Sequence, residues 1–137
     1  MIIVLDTVVL LTGLMGVNPL HARIVDLLQA GRMVPAADDR VLRDYQEALG
    51  RPYFRRYFPP EEAERVVRFL RAEARRCVCT ERVDLPDPAD ACFAETALAL
   101  HAPLITADFR RFPAERCGRT RVFSPIRFLE EFQRPQR

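Results

Sequence analysis

The sequence contains no lysine: all 21 residues of the Lys+Arg class are arginine. That excludes a Schiff-base lysine and the phosphate-binding lysine of a P-loop. Serine is nearly as scarce, because Ser124 is the only one and stands outside any G-x-S-x-G context, and the only imidazoles are His21 and His101. A serine triad has too little material. The chemistry must therefore draw on carboxylates, Thr, Tyr, Cys or a metal. The cysteines Cys77, Cys79, Cys92 and Cys117 form no C-x-x-C pair, and a chain kept in a reducing compartment seldom makes structural disulfides, so they are expected to be thiols. Cys77-Val78-Cys79 reads as a strand with both sulfurs on one face, with a zinc site as the alternative.

Long hydrophobic runs are also missing. No stretch approaches the roughly 20 apolar residues a membrane span needs, and the opening Met-Ile-Ile-Val-Leu meets Asp6 at once without basic residues before it. No secretion signal and no membrane association are expected, and the chain is placed in the cytoplasm. With 137 residues, 49% of them hydrophobic and 29% charged, it suits one globular domain over 1–137.

The elements follow from local patterns. Ile2 to Leu5 reads as a buried parallel strand ending at Asp6. Asn18-Pro19 caps a helix with Leu20, Ile24, Leu27 and Leu28 on its apolar face and Gly31 as its stop. Met33-Val34 reads as a second strand. Asp38 or Asp39 caps a helix that carries Val41, Leu42, Tyr45, Ala48 and Leu49 inward and places Asp44 on the same face. Pro59-Pro60-Glu61-Glu62 opens a longer helix closed by Arg75-Arg76, and Cys77 to Thr80 reads as a third strand. After the loop 84–88, Ala89 to His101 has helical spacing with Asp90 in its first turn. Leu104-Ile105-Thr106 and Val122-Phe123 complete the strands, and Ser124-Pro125 starts a last helix with Ile126, Leu129 and Phe132 inward. Alternating strands and helices with short connections predict an α/β fold, a parallel sheet covered on both faces.

In such sheets ligands bind outside the strands' carboxyl ends. Asp6 and Asp108 belong there, and Asp44 and Asp90 can converge on them. Carboxylates crowded together repel one another unless a cation compensates, and oxygen-only ligands select Mg²⁺ or Mn²⁺. The chemistry implied is phosphodiester hydrolysis. Charge follows the same division: residues 77–108 hold 1 Arg against 6 acids, whereas residues 51–76 hold 8 against 4 and residues 109–137 hold 8 against 3. Arg51, Arg55, Arg56, Arg110 and Arg111 are candidates to grip a nucleic-acid backbone, while Arg65, Arg68 and Arg75 read as solvated helix surface.

Val4-Leu5-Asp6-Thr7, Arg43-Asp44-Tyr45-Gln46-Glu47-Ala48-Leu49-Gly50-Arg51-Pro52, Asp87-Pro88-Ala89-Asp90 and Leu104-Ile105-Thr106-Ala107-Asp108, in this order and spacing, resemble the PIN-domain nucleases. The resemblance is closest to the VapC-like toxins of toxin–antitoxin pairs. It implies a three-layer α/β/α sandwich around a central parallel sheet, a ribonuclease activity dependent on Mg²⁺ or Mn²⁺, an antitoxin protein as partner, and a homodimer. Asp6, Asp44, Asp90 and Asp108 correspond to the family's four metal-binding catalytic acids, and Thr7 and Thr106 to its supporting hydroxyls. Asp87 competes with Asp90, and Glu47 with Asp44. The family usually reads Asp-Thr-Asn at the first motif, where this chain has Val8, and usually carries Glu where this chain has Asp44. Val8 motivates an alternative, a PIN module that binds RNA or a partner protein without cleaving. A phosphoacceptor receiver domain would need a lysine the chain lacks.

Overall fold

A computed structural model describes residues 1–133; the last four residues of the domain expected over 1–137 lie outside the described residues. Four short parallel strands form one sheet: β1 (Ile2–Leu5), β2 (Val34–Pro35), β3 (Leu104–Ile105) and β4 (Val122–Phe123), in the order β2-β1-β3-β4. The register pairs Ile2 with Val34, Val4 with Leu104 and Leu104 with Val122. Helices α1 (Thr7–Met15), α2 (Pro19–Gln29), α3 (Asp39–Leu49), α4 (Pro52–Arg55), α5 (Pro60–Glu73), α6 (Ala91–Leu100) and α7 (Pro125–Gln133) flank the sheet, giving the expected α/β architecture. Ile3, Val4, Leu104 and Ile105 have no solvent exposure, which is why the central strands are continuous apolar runs.

Local signals set most boundaries. The Asn18 side chain accepts from the backbone N–H groups of Leu20 and His21, and Asp38 accepts from Val41 N at 3.0 Å, so both caps hold as expected. Asp38 also takes Arg40 at 2.7 Å, and Arg40 reaches the buried Glu95 at 2.9 Å. That bridge ties the start of α3 to α6.

Three features depart from the sequence reading. Residues 7–15 form α1, which no periodicity announced because its apolar residues surround the helix; it ends at Gly16, whose φ of 72° suits glycine. The stretch Cys77 to Thr80 is not a strand: parallel pairing reaches only from Ala36 to Arg75, and Val78 is 86% exposed. The two sulfurs nevertheless face one side, 3.9 Å apart. In α7 Phe128 and Leu129 are buried and Phe132 packs against the core, whereas Ile126 is half exposed, and so in large part is Leu20 at the start of α2, at 39%. Helices α1 and α2 approach so closely that a Cβ on Gly13 would lie 2.5 Å from Val25 Cγ2 and 2.7 Å from His21 O. Among the described residues, no single helix is long and apolar enough to cross a membrane.

Candidate active site

Asp6 occupies the first position beyond β1. Its N–H donates to Ile105 O at 3.0 Å, continuing the β1–β3 ladder, while its C=O accepts Leu10 N at 3.1 Å and starts α1. The backbone thus turns from strand to helix at this residue. Its side chain makes no helix cap and is only 1% exposed, because it is turned into the crevice at the strands' carboxyl ends. Thr106, placed one residue beyond β3, donates its hydroxyl to Asp6 Oδ2 at 2.8 Å and accepts Asp108 N–H at 3.1 Å. The hydroxyl proton is thereby aimed at Asp6.

The 3₁₀ turn Pro88–Asp90 places Asp90, 5% exposed, opposite Asp6. Asp87 caps that turn, accepting Ala89 N at 3.0 Å, and is itself exposed. Between Asp6 and Asp90 lies a guanidinium. Arg111 Nη1 is 3.2 and 3.1 Å from the two Asp6 oxygens, Nε is 3.0 Å from Asp90 Oδ2, and Nη2 is 2.5 Å from Asp90 Oδ1. The charge pattern of the sequence assigns Arg111 to a nucleic-acid backbone; in the fold it neutralises two buried carboxylates instead.

Asp44, half-buried on α3, accepts the Thr7 hydroxyl at 2.5 Å. Glu47 is exposed one turn further on, and both line a depression of about 230 Å³ with Arg40, Arg43, Pro88, Ala89 and Cys92. Asp108 turns its carboxylate outward to Arg110, whose Nε is 3.2 Å away. Only Asp6 and Asp90 are therefore joined directly, through Arg111; Asp44 is held separately by Thr7, and Asp108 reaches Thr106 only through its backbone, so the bare quartet that crowding would predict is not formed. Among the described residues, no three Asp, Glu, His or Cys side chains stand together as a metal-holding group. Of the remaining basic candidates, Arg51, Arg55, Arg56 and Arg110 are all exposed. Arg55 borders a separate groove of about 450 Å³ between α3 and α5, together with Arg68 and Arg71.

Burial pushes the Asp6 carboxyl above its usual range, and the Arg111 guanidinium offsets that only in part. The Arg110 side chain holds Asp108 below the usual range. The Tyr45 hydroxyl, fully buried, donates to Leu5 O next to Asp6; burial and then the Asp6 charge push it well above the ordinary tyrosine value, so it stays a neutral donor.

The donors are hard: carboxylate oxygens on Asp6, Asp90 and Asp44, steered by two threonine hydroxyls. This set suits Mg²⁺ or Mn²⁺ by chemistry, and the repulsion between Asp6 and Asp90 already demands a cation. Arg111 fills that demand in the arrangement described. Sequence reasoning missed this role, since nothing local distinguishes Arg111 from the arginine beside it.

A family model described as PIN domain matches residues 2–110. No curated protein matches the chain. Among solved structures, VapBC2 from Rickettsia felis, bound to a DNA fragment from their promoter, is similar with a TM-score of 0.60, covering 90% of this chain and 98% of that one at 14% identity. At that identity the likeness is one of fold.

Proposed function

Because the chain belongs to the PIN-domain family, whose members are generally nucleases, we propose that it is a metal-dependent endoribonuclease hydrolysing RNA phosphodiester bonds. We further propose that it serves as the toxin of a toxin–antitoxin pair, acting in the cytoplasm as a single domain and as a homodimer. The observation that carries the nuclease reading is the pair of desolvated carboxylates, Asp6 and Asp90, sharing one cation at the carboxyl end of a parallel sheet. The toxin assignment is supported by the fold shared with VapBC2. An antitoxin protein is the partner it implies.

In this reading Asp6, Asp44, Asp90 and Asp108 are the residues that would hold Mg²⁺ or Mn²⁺. A divalent ion bound there supplies a Lewis acid for the phosphoryl oxygen and an activated water. The chain's own groups do the positioning: Thr106 orients Asp6, Thr7 orients Asp44, and the depression beside Asp44 exposes Arg43 to an incoming strand. Arg51, Arg55 and Arg110 reach solvent and suit phosphate contacts that are not sequence-specific. The second reading, a module that binds RNA or a partner protein without cleaving, draws on Val8, an exposed apolar side chain two residues beyond Asp6.

The test is RNA cleavage by the purified full chain with Mn²⁺ or Mg²⁺, compared with Asp6→Asn and with chelation. Cleavage is expected to fall by at least about a hundredfold in the variant and to vanish on metal removal. Activity surviving both treatments would falsify the nuclease reading.

A further inference from the structure

We propose that Arg111 is the built-in counter-ion of the acidic site and competes in cis with the divalent cation, the two occupying the same oxygens of Asp6 and Asp90 by turns. The proposal rests on the metal-dependent reading above and adds a control to it.

The geometry leaves the two cations no room to coexist. Arg111 uses Nε, Nη1 and Nη2 at once, and every oxygen of Asp6 and Asp90 lies between 2.5 and 3.2 Å from one of these nitrogens. This is a fork gripping two carboxylates, the arrangement in which a guanidinium binds most firmly. Asp6 Oδ2 takes the Thr106 hydroxyl as well, so its remaining lone-pair directions are spent. A metal ligated by either acid must take oxygens that Arg111 now holds, and like charge forbids the two cations from sharing them.

Arg111 is nevertheless placed to leave. Its backbone is fixed in the turn after β3, where Arg111 N donates to Asp108 O at 3.2 Å. The side chain, 31% exposed, crosses the face of Phe112, with its guanidinium carbon 5.4 Å from the ring centroid. Among the described residues, all hydrogen bonds of its guanidinium go to Asp6 and Asp90. Rotation of the side chain alone therefore opens the site while Phe112 and the strand stay put. The neighbouring Arg110 side chain, from the same turn, is already 92% exposed, so solvent lies within reach. Arg40 differs: it bridges Asp38 at the start of α3 to Glu95 on α6 and so fastens two helices, whereas Arg111 closes a ligand crevice.

The consequence is quantitative. Metal affinity is weakened by the fraction of time the site is free of guanidinium, so a site closed nine-tenths of the time binds about tenfold more weakly than an open one. Without metal, the chain needs no ion to fold, because Arg111 satisfies Asp6 and Asp90. Removing Arg111 reverses both properties: two buried carboxylates lose their partner, and the metal becomes what holds them.

The experiment is Mn²⁺ titration by calorimetry on the full chain, with thermal unfolding followed in parallel, for wild type, R111Q, R111K and R111Q/D6N. R111Q is expected to bind Mn²⁺ about tenfold or more tightly than wild type and to gain more in melting temperature on Mn²⁺ addition. R111K keeps the charge without the fork, secures folding, and is expected to fall between the two. Adding D6N should remove the gain. If R111Q proves unfolded in chelator, recovery of its circular dichroism on Mn²⁺ addition supports the proposal. Equal Mn²⁺ affinity in wild type, R111K and R111Q overturns the competition but leaves the metal-dependent nuclease standing. Absence of Mn²⁺ binding in all of them overturns both, and a gain that survives D6N overturns the assignment to these oxygens.

Discussion

The Thr7 hydroxyl donates to Asp44 Oδ2 at 2.5 Å, fastening the first turn of α1 to the middle of α3. Asp44 lies on the helix that carries Tyr45, and the Tyr45 hydroxyl bonds Leu5 O at the end of β1. Two adjacent residues of α3 thus grip the two residues that flank Asp6. The spacing between the acids is set by this double clasp.

Thr7→Val keeps the side-chain shape and deletes the donor. Asp44 is half-buried and can find water, so the stability change should stay below about 1 kcal/mol. Its carboxylate loses its fixed orientation, and metal-dependent RNA cleavage is expected to fall about tenfold, the lower range for losing a group that orients a metal ligand. Cleavage at the wild-type rate would mean that Asp44 needs no orientation, or takes no part.

Gly13→Ala should destabilise. In an exposed helix interior the exchange gains up to about 1 kcal/mol from helix propensity, so a free surface would give the opposite sign. Here the added carbon meets the backbone carbonyl of His21 at 2.7 Å, as well as Val25 Cγ2 at 2.5 Å, and the α1–α2 pair must separate. The expected net loss is about 1–3 kcal/mol, or roughly 4–12 °C in melting temperature. A melting temperature equal to or above that of wild type in differential scanning calorimetry contradicts the close packing.

How much of this was legible in the sequence depends on how local each signal was. The β-branched run before Asp6, the Asn18 and Asp38 caps and the Ser124-Pro125 start each act within a few residues, and each predicted element formed. Helix α1 escaped because its apolar residues lie all round it and leave no face for periodicity to pick out, although Asp6 at its N-cap position turns out to aim its carboxylate at the site instead. Cys77 to Thr80 alternates like a strand, yet alternation cannot say whether an edge is available; β2 pairs with the chain only as far as Ala36 and Arg75. Arg111 was illegible for a different reason. Its partners lie 105 and 21 residues away, and one arginine among 21 carries no mark of such a pairing.

His21 gives a pH prediction. It is buried, its Nδ1 lies 2.5 Å from the Thr12 hydroxyl, and burial lowers its pKa below the ordinary 6.5. Above pH 6.5 the ring is neutral both folded and unfolded and costs nothing. As the pH falls below 6.5 the unfolded chain takes up a proton that the folded chain refuses, so stability declines until the folded pKa is passed and then levels off. Urea unfolding at pH 7.5 and pH 5.0 should show a larger loss for wild type than for His21→Gln. Parallel losses in the two proteins would mean that His21 titrates alike in both states.

Val8→Asn bears on whether the site cleaves or only binds. Val8 is 47% exposed on the first turn of α1, immediately after the residue that holds Asp44, so the substitution removes little buried surface and its stability cost should be under about 1 kcal/mol. An amide at this position adds a donor and an acceptor to the first turn of α1, next to the residue that holds Asp44, where valine offers neither. Groups of that kind typically change metal affinity or activity by about 10- to 100-fold when lost, so supplying one should raise RNA cleavage several-fold over an active wild type. An inactive wild type whose Val8→Asn variant gains cleavage would instead favour the binding module, since the acids and threonines would then be complete except for the missing amide. An unchanged rate in an active wild type would show that the remaining oxygens suffice, and would remove Val8 as a reason to doubt hydrolysis.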